Sequence, residues 1–330
     1  MQLVGRGRPR PLHFAPQARL SFRSSRSMLT LASQSSQSFL MGAKRNSERS
    51  TGVMAALLAC FCVFGALAGG PLTTPKPQSI RVAGIVLKWL RGDKETNYRR
   101  VEPLIREAAA HGAQIVCTTE CFLDGYAIAD KSIPLDQYRA LGEPIPQGEY
   151  FRKLSALARE LKILLIAGML EADGEARYNT AVSLNPKGEL ISKYHKQRLD
   201  HEAVRNTAGT ESTVVETPYG KLGVMICADR RFPEVVKGFS DRGADFLICP
   251  SGGMFGPKSN DPMVQARSRE TGKYIVFVHP AEFLVTAPDG SIVQQTVLGD
   301  KLLISSDQIG TAADSQRVFY VDLPLKPSSR

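Results

Sequence analysis

The chain has 330 residues, 43% apolar and 22% charged, enough to bury a full hydrophobic core. Its formal net charge of +10 sits almost wholly at the N-terminus: residues 1–78 hold 10 of the 42 Lys and Arg but one of the 32 acids, leaving 32 basic against 31 acidic residues beyond. That balance, with no Lys/Arg stripe interleaved with aromatics, argues against nucleic-acid binding by the folded part. Cys117, Cys121, Cys227 and Cys249 are too few for a disulfide scaffold and lack metal-ligand spacing.

Residues 1–52 are rich in Arg, Ser, Gln and Pro without periodicity, and read as a disordered or untranslated basic leader. Within residues 41–68 a signal-peptide pattern begins: basic Lys44, Arg45 and Arg49, a charge-free apolar run from Val53 to Ala68, and small residues before Gly69. This predicts an exported protein, periplasmic or secreted. The alternatives are an uncleaved membrane anchor or a lipoprotein at Cys60. Residues 69–78 read as a Pro-rich linker, and 79–330 as one domain without a stable membrane segment.

In that domain Ile80–Leu87 reads as a strand, Asn97–His111 as a helix interrupted or shifted by Pro103, and Gln114–Thr119 as a strand leading to Glu120. A Pro-containing loop precedes a helix at 149–161, then strands at 163–170 and 178–184, the Asn185-Pro186-Lys187-Gly188 turn, and a strand ending at Lys196. Residues 197–212 read as loop. A strand pair at 213–217 and 221–226 leads to Cys227, and Pro233 suits the first turn of a helix carrying Val235, Val236 and Phe239. Then follow a strand at 245–249, a Gly/Pro/Ser loop to Pro262, a helix at 263–271, a strand at 274–278, a hairpin about Pro288-Asp289-Gly290, and a last strand at 317–322. The alternation predicts layered helices and mixed sheets.

Taken alone, a cysteine at the end of an apolar strand is more often core than nucleophile, Glu120 reads as a solvated strand end, and Lys196 as a surface lysine. Together they differ. Strand C-termini of an open layered sheet converge on one crevice, and a carboxylate, an ammonium and a thiol delivered there form a proton acceptor, an oxyanion holder and a nucleophile.

Glu120 with Gly125-Tyr126, then Tyr194-His195-Lys196, then Ile226-Cys227-Ala228-Asp229-Arg230-Arg231-Phe232-Pro233-Glu234 resembles the carbon–nitrogen hydrolase family, or nitrilase superfamily, over roughly residues 79–323. Arg242-Gly243-Ala244-Asp245 and the Arg267/Glu270 segment resemble it too. The resemblance implies an α/β four-layer αββα sandwich with mixed sheets and a Glu120–Lys196–Cys227 catalytic set. It further implies an oxyanion donor in the Ala228 N–H, no metal or organic cofactor, and pairing into a homodimer or higher homo-oligomer. Glu202 fits the family's second glutamate, although Ala208 replaces a usual proline before Gly209. Tyr126, Arg230 and Arg231 are substrate-binding candidates, with a structural ion pair the alternative role for the arginines.

Arg-Phe-Pro-Glu after the cysteine resembles amidase and carbamoylase branches rather than nitrilases. Ala228 in place of a frequent Tyr, and His279-Pro280 in place of a frequent Ala-Asn, depart from the family. The expected activity is hydrolysis of a small-molecule amide to carboxylic acid and ammonia through a cysteine thioester. The alternatives are an N-carbamoyl amino-acid amidohydrolase, or a catalytically silent member acting as a binding protein.

Overall fold

The computed structural model describes residues 79–253, 255–298 and 316–324. The basic leader, the signal-like segment and the linker lie outside the described residues. Among the described residues no helix is long and apolar enough to cross a membrane.

Two mixed sheets stack face to face. The first is built on β1 (Ser79–Leu87), β2 (Ile115–Cys117) and β4 (Leu164–Asp173), which run parallel. To these are added β13 (Gln316–Pro324) antiparallel on β1, and β5 (Ala176–Leu184) and β6 (Leu190–His195) antiparallel in succession beyond β4. A short β3 (Glu143–Pro144) pairs with the far end of β4. The second sheet repeats this plan. β8 (Gly220–Val224), β9 (Phe246–Pro250) and β10 (Tyr274–His279) run parallel, with β7 (Val214–Thr217) antiparallel at one side and β11 (Glu282–Thr286) and β12 (Ile292–Val297) antiparallel at the other.

The period-two pattern of β1 separates the layers. Ile80, Val82 and Val86 face the second sheet with Val224, Phe277 and Phe283. Ala83, Ile85 and Leu87 face outward to α1 (Lys94–Ala110) and α3 (Glu149–Leu161) through Val101, Ile105, Leu154 and Leu157. On the other side, Val235, Val236 and Phe239 of α4 (Pro233–Asp241) and Val264 of α5 (Pro257–Thr271) cover the second sheet. The result is the expected four-layer αββα sandwich. Each such buried aliphatic side chain contributes about 1.5–3 kcal/mol.

Several boundaries differ from the sequence reading. α1 starts earlier, at a cap where Asp93 Oδ1 accepts from Thr96 N at 2.9 Å, and runs through Pro103. Pro103 is on the exposed face, where solvent can satisfy the carbonyl its missing N–H leaves open. The Pro-containing loop before α3 holds a further helix, α2 (Leu135–Ala140), and β3. α5 begins at Pro257 rather than Met263: Pro257 occupies the first turn, where its ring costs nothing, and Pro262 is carried inside. The loop after β6 contains a 3₁₀ turn, Asp200–Val204.

Gly168 on β4 permits the close approach that positions Glu120. A Cβ there would lie 2.6 Å from Thr119 O, 2.7 Å from Cys121 N and 3.0 Å from the Glu120 Cα, all backbone atoms. Gly168→Ala is therefore expected to destabilise the fold by about 1–3 kcal/mol and to displace Glu120. A melting temperature and turnover equal to wild type would contradict this reading.

Candidate active site

Strand direction explains why distant residues meet. β5 reverses β4 and β6 reverses β5, so β6 again runs with β2 and β4 and its C-terminus opens on the same edge. Lys196 follows β6, and its N–H is held by Asn179 O at 2.9 Å. Glu120 follows β2, and its N–H donates to Ser251 O at 3.2 Å, just beyond β9 in the other sheet. Cys227 follows β8 and opens a 3₁₀ turn, Cys227–Arg231.

The turn gives the cysteine a left-handed backbone, φ 44°. Cys121 (φ 45°) and Tyr126 (φ 51°), which bracket the loop after Glu120, share that strained region. In Cys227–Arg231 the Asp229 N–H bonds Ile226 O. The N–H groups of Cys227 and Ala228 precede it at the N-terminal end of the turn, where such donors have no partner within the turn.

Lys196 is 2% exposed. Its Nζ donates to Glu120 Oε1 at 2.7 Å and to Glu202 Oε1 at 2.5 Å. Burial opposes its charge, but the Glu120 and Glu202 carboxylates outweigh burial and hold the ammonium well above the usual lysine range. Glu202 is fully buried and satisfied on both oxygens. Oε1 also accepts from the Tyr126 hydroxyl at 3.3 Å, and Oε2 accepts from Asn179 Nδ2 at 3.0 Å and Asn206 Nδ2 at 3.2 Å.

Glu120 is different. Its Oε1 accepts from Lys196 and from Asn179 Nδ2 at 2.7 Å, while its buried Oε2 accepts no hydrogen bond among the described residues. Gly252 keeps the space beside that oxygen open. A Cβ on Gly252 would lie 2.7 Å from Glu120 Oε2, and one on Gly253 would lie 3.6 Å from Cys227 Sγ. The aromatic rings of Trp89 and Tyr126, 5.6 Å apart, border the same region.

Burial, with the Glu120 carboxylate, pushes the Cys227 thiol up; Lys196, Arg230 and the Gly252 N–H pull the other way. Asp229 ties the cysteine turn to the lysine segment. Its Oδ2 accepts from Ile226 N at 3.1 Å and the Tyr194 hydroxyl at 2.8 Å, and its Oδ1 from Arg198 N at 2.8 Å and Gln197 N at 3.2 Å. Burial raises this carboxyl to about 6 against those bonds.

The structure thus brings Glu120, Lys196, Glu202, Cys227 and Tyr126 into one cluster. Arg230 joins it at the thiol, with its Nη1 3.5 Å from Cys227 Sγ. Arg231 points elsewhere, pairing at the surface with Asp200 at 2.5 Å. Asn179, Asn206 and Gly252 had no sequence signal, because each acts only through a neighbour from another strand or loop. Asp229 stood inside a recognised motif without an assigned role. Among the described residues, Cys117, Cys121, Cys227 and Cys249 are free thiols. Among the described residues no His/Cys/Asp/Glu group has the arrangement to hold a metal ion.

Known proteins share this arrangement of elements. A profile of the carbon-nitrogen hydrolase family matches residues 81–309. The chain is 34% identical over 265 residues to the human omega-amidase NIT2, covering 75% of this chain and 90% of that protein. It is 30% identical over 257 residues to the omega-amidase NIT3 of Saccharomyces cerevisiae, covering 68% of this chain and 86% of the relative. The crystal structure of yeast Nit3, described as a member of branch 10 of the nitrilase superfamily, superposes with a TM-score of 0.63 at 28% identity, covering 75% of this chain and 90% of that one. An amidase from Nesterenkonia shares the fold, with a TM-score of 0.61 at 22% identity over 75% of this chain and 92% of its own. The chain belongs to the carbon–nitrogen hydrolase family, within the nitrilase superfamily.

Proposed function

We propose that the chain hydrolyses the terminal amide of small ω-amido acids to a carboxylic acid and ammonia, with Cys227 as nucleophile, Glu120 as proton carrier and Lys196 as oxyanion holder. The observation that carries the reading is the unshared Oε2 of Glu120, buried in a site where its partner oxygen is fully occupied and Gly252 leaves room beside it. A carboxylate so held has one basic oxygen aimed at the reacting centre. The choice of ω-amides is supported by the omega-amidase names of the human and yeast relatives.

Glu120 Oε2 takes the Sγ proton, and the thiolate attacks the amide carbon. The developing oxyanion lies between the Lys196 ammonium and the Ala228 N–H, each such donor being worth about 3 kcal/mol of barrier. Glu120 returns the proton to the leaving nitrogen, ammonia departs, and a thioester remains. Glu120 then takes a proton from water, hydroxide character attacks the thioester, and the acid leaves as the thiol reforms. Glu202 shares the lysine and keeps it between two carboxylates, while Asn179 spans the two acids.

Export through residues 41–68, and assembly as a homo-oligomer, complete the proposal; the first rests on the leader's sequence and the second on the family resemblance. The protein isolated from its native source should begin near Gly69 by N-terminal sequencing, and a terminus at Met41 or Met54 would argue against cleavage. Light scattering that gives a monomer mass would remove the oligomer.

The reaction is tested by ammonia release from ω-amido acids, simple aliphatic amides and N-carbamoyl amino acids. Cys227→Ala and Lys196→Ala should each reduce turnover by about 10³-fold or more. Glu120→Gln, which cannot accept the thiol proton, should reduce it by about 10²–10⁴-fold. Unchanged turnover in any of the three would sink the assignment. Release of CO₂ together with ammonia, confined to carbamoyl compounds, would move the substrate away from ω-amides.

A further inference from the structure

Arg230 is a buried cation that the reaction above does not use. It is 2% exposed and appears in no ion pair among the described residues. Isolating a guanidinium from water is costly unless its charge finds an opposite one. Here it meets only neutral groups: Nη1 donates to Cys227 O at 2.5 Å, Nη2 to Asn260 Oδ1 at 2.6 Å, and the guanidinium lies 5.1 Å from the Phe277 ring centroid. The same Nη1 is 3.5 Å from Cys227 Sγ. The anion nearest to it is therefore one that exists only when the thiol has lost its proton.

We infer that Arg230 is the resident counter-ion of the Cys227 thiolate, holding both the carbonyl and the sulfur of the strained cysteine so that proton transfer to Glu120 creates an ion pair rather than an isolated anion. The inference concerns the nucleophile of the proposed reaction and rests on that reading for its role in turnover, but not for its effect on the thiol. In the step concerned the S–H bond breaks, an O–H bond forms at Glu120 Oε2, and the electron pair stays on sulfur.

The groups facing the pair come from every surrounding element. Around the sulfur stand Glu120 beyond β2, Lys196 beyond β6 and the Gly252 N–H beyond β9. Around the guanidinium stand Cys249 of β9, Asn260 of α5 and His279 of β10, and Glu282 of β11 lies behind Asn260 at 3.4 Å. Glu120 also acts on the guanidinium, but it is bound to Lys196 and makes no hydrogen bond or ion pair with Arg230 among the described residues; the others supply no firm competing anion. Burial, and then Arg230 itself, drive the His279 imidazole down to about 3, so it is neutral. Burial of Cys249 pushes its thiol up to about 12. Glu282, raised to about 7 by burial and by Asp261, engages Asn260 rather than Arg230. Lys196, the other nearby cation, is already shared by two carboxylates. That leaves the Cys227 thiolate as the anion within hydrogen-bond reach of Arg230.

The sign of the effect is definite. A cation beside a thiol favours its ionised form, so removing the cation moves ionisation to higher pH. Alkylation of Cys227 by iodoacetamide, followed by mass spectrometry of the Cys227 peptide from pH 5.5 to 10 on the whole chain, reads that midpoint without any substrate. Arg230→Met should move the midpoint up by about one pH unit, slowing alkylation at neutral pH about tenfold, and Arg230→Lys should return most of the shift. If Arg230→Met does not fold, Arg230→Gln replaces it, since its amide can still donate to the Cys227 carbonyl while the charge is gone. An unchanged midpoint in a folded neutral variant, judged by near-UV circular dichroism, overturns the inference and leaves Arg230 a structural clamp. A wild type silent toward every amide, with the Arg230→Met shift intact, would remove the proposed reaction and leave this assignment standing.

Discussion

A lysine ammonium buried between two carboxylates organises the molecule's working edge. Lys196 reaches Glu120 at 2.7 Å and Glu202 at 2.5 Å with almost no solvent, and each member is tolerable only because the others are present. Loss of one partner from such a group leaves a buried uncompensated charge, a change typically worth about 3–5 kcal/mol. The need to satisfy this group accounts for Asn179 bridging the two acids, and for Tyr126 and Asn206 closing Glu202. It also leaves a single carboxylate oxygen, Oε2 of Glu120, outside the network.

Around that cluster the chain departs from relaxed backbone. Cys121, Tyr126 and Cys227 all take positive φ, while Gly168 and Gly252 supply room that a side chain would remove. Strain of this kind persists where surrounding bonds over-determine the conformation. Asp229 does so for the cysteine turn, binding Ile226 on one side and Tyr194, Gln197 and Arg198 on the other. The carboxylate is thus the physical link between the cysteine turn and the lysine's strand. With Arg230 within reach of the sulfur, the thiol has near it one cation shared by two carboxylates and a second that makes no ion pair among the described residues.

Much of this was legible in one dimension. Ile80–Leu87 forms the strand it was read as, Glu149–Leu161 is helical over the span its apolar spacing marks, and Pro233 opens α4. Elements decided by tertiary contacts were not legible. α2 and the early start of α5 lie in Pro-rich segments whose local preference is loop, and helix forms there because packing outweighs propensity. Asn179 looked like one polar residue in a strand. Only the register of β5 between β4 and β6 places it between two glutamates.

By itself the sequence determined the strands and helical faces that bury the core, and the order of three chemically distinct residues, Glu120, Lys196 and Cys227, each at the end of a strand. Those features are local: they depend on side-chain spacing and on where a strand must stop. The tertiary structure alone decided that two strand reversals bring Lys196 back to the edge of Glu120, that Glu202 shares its ammonium, and that Arg231 leaves for Asp200 while its neighbour Arg230 turns inward to the sulfur. Adjacent arginines carry the same charge and propensity in sequence. Which one is buried depends on the direction each side chain takes from the 3₁₀ turn and on the partners waiting there, and neither quantity exists before the sheets are stacked.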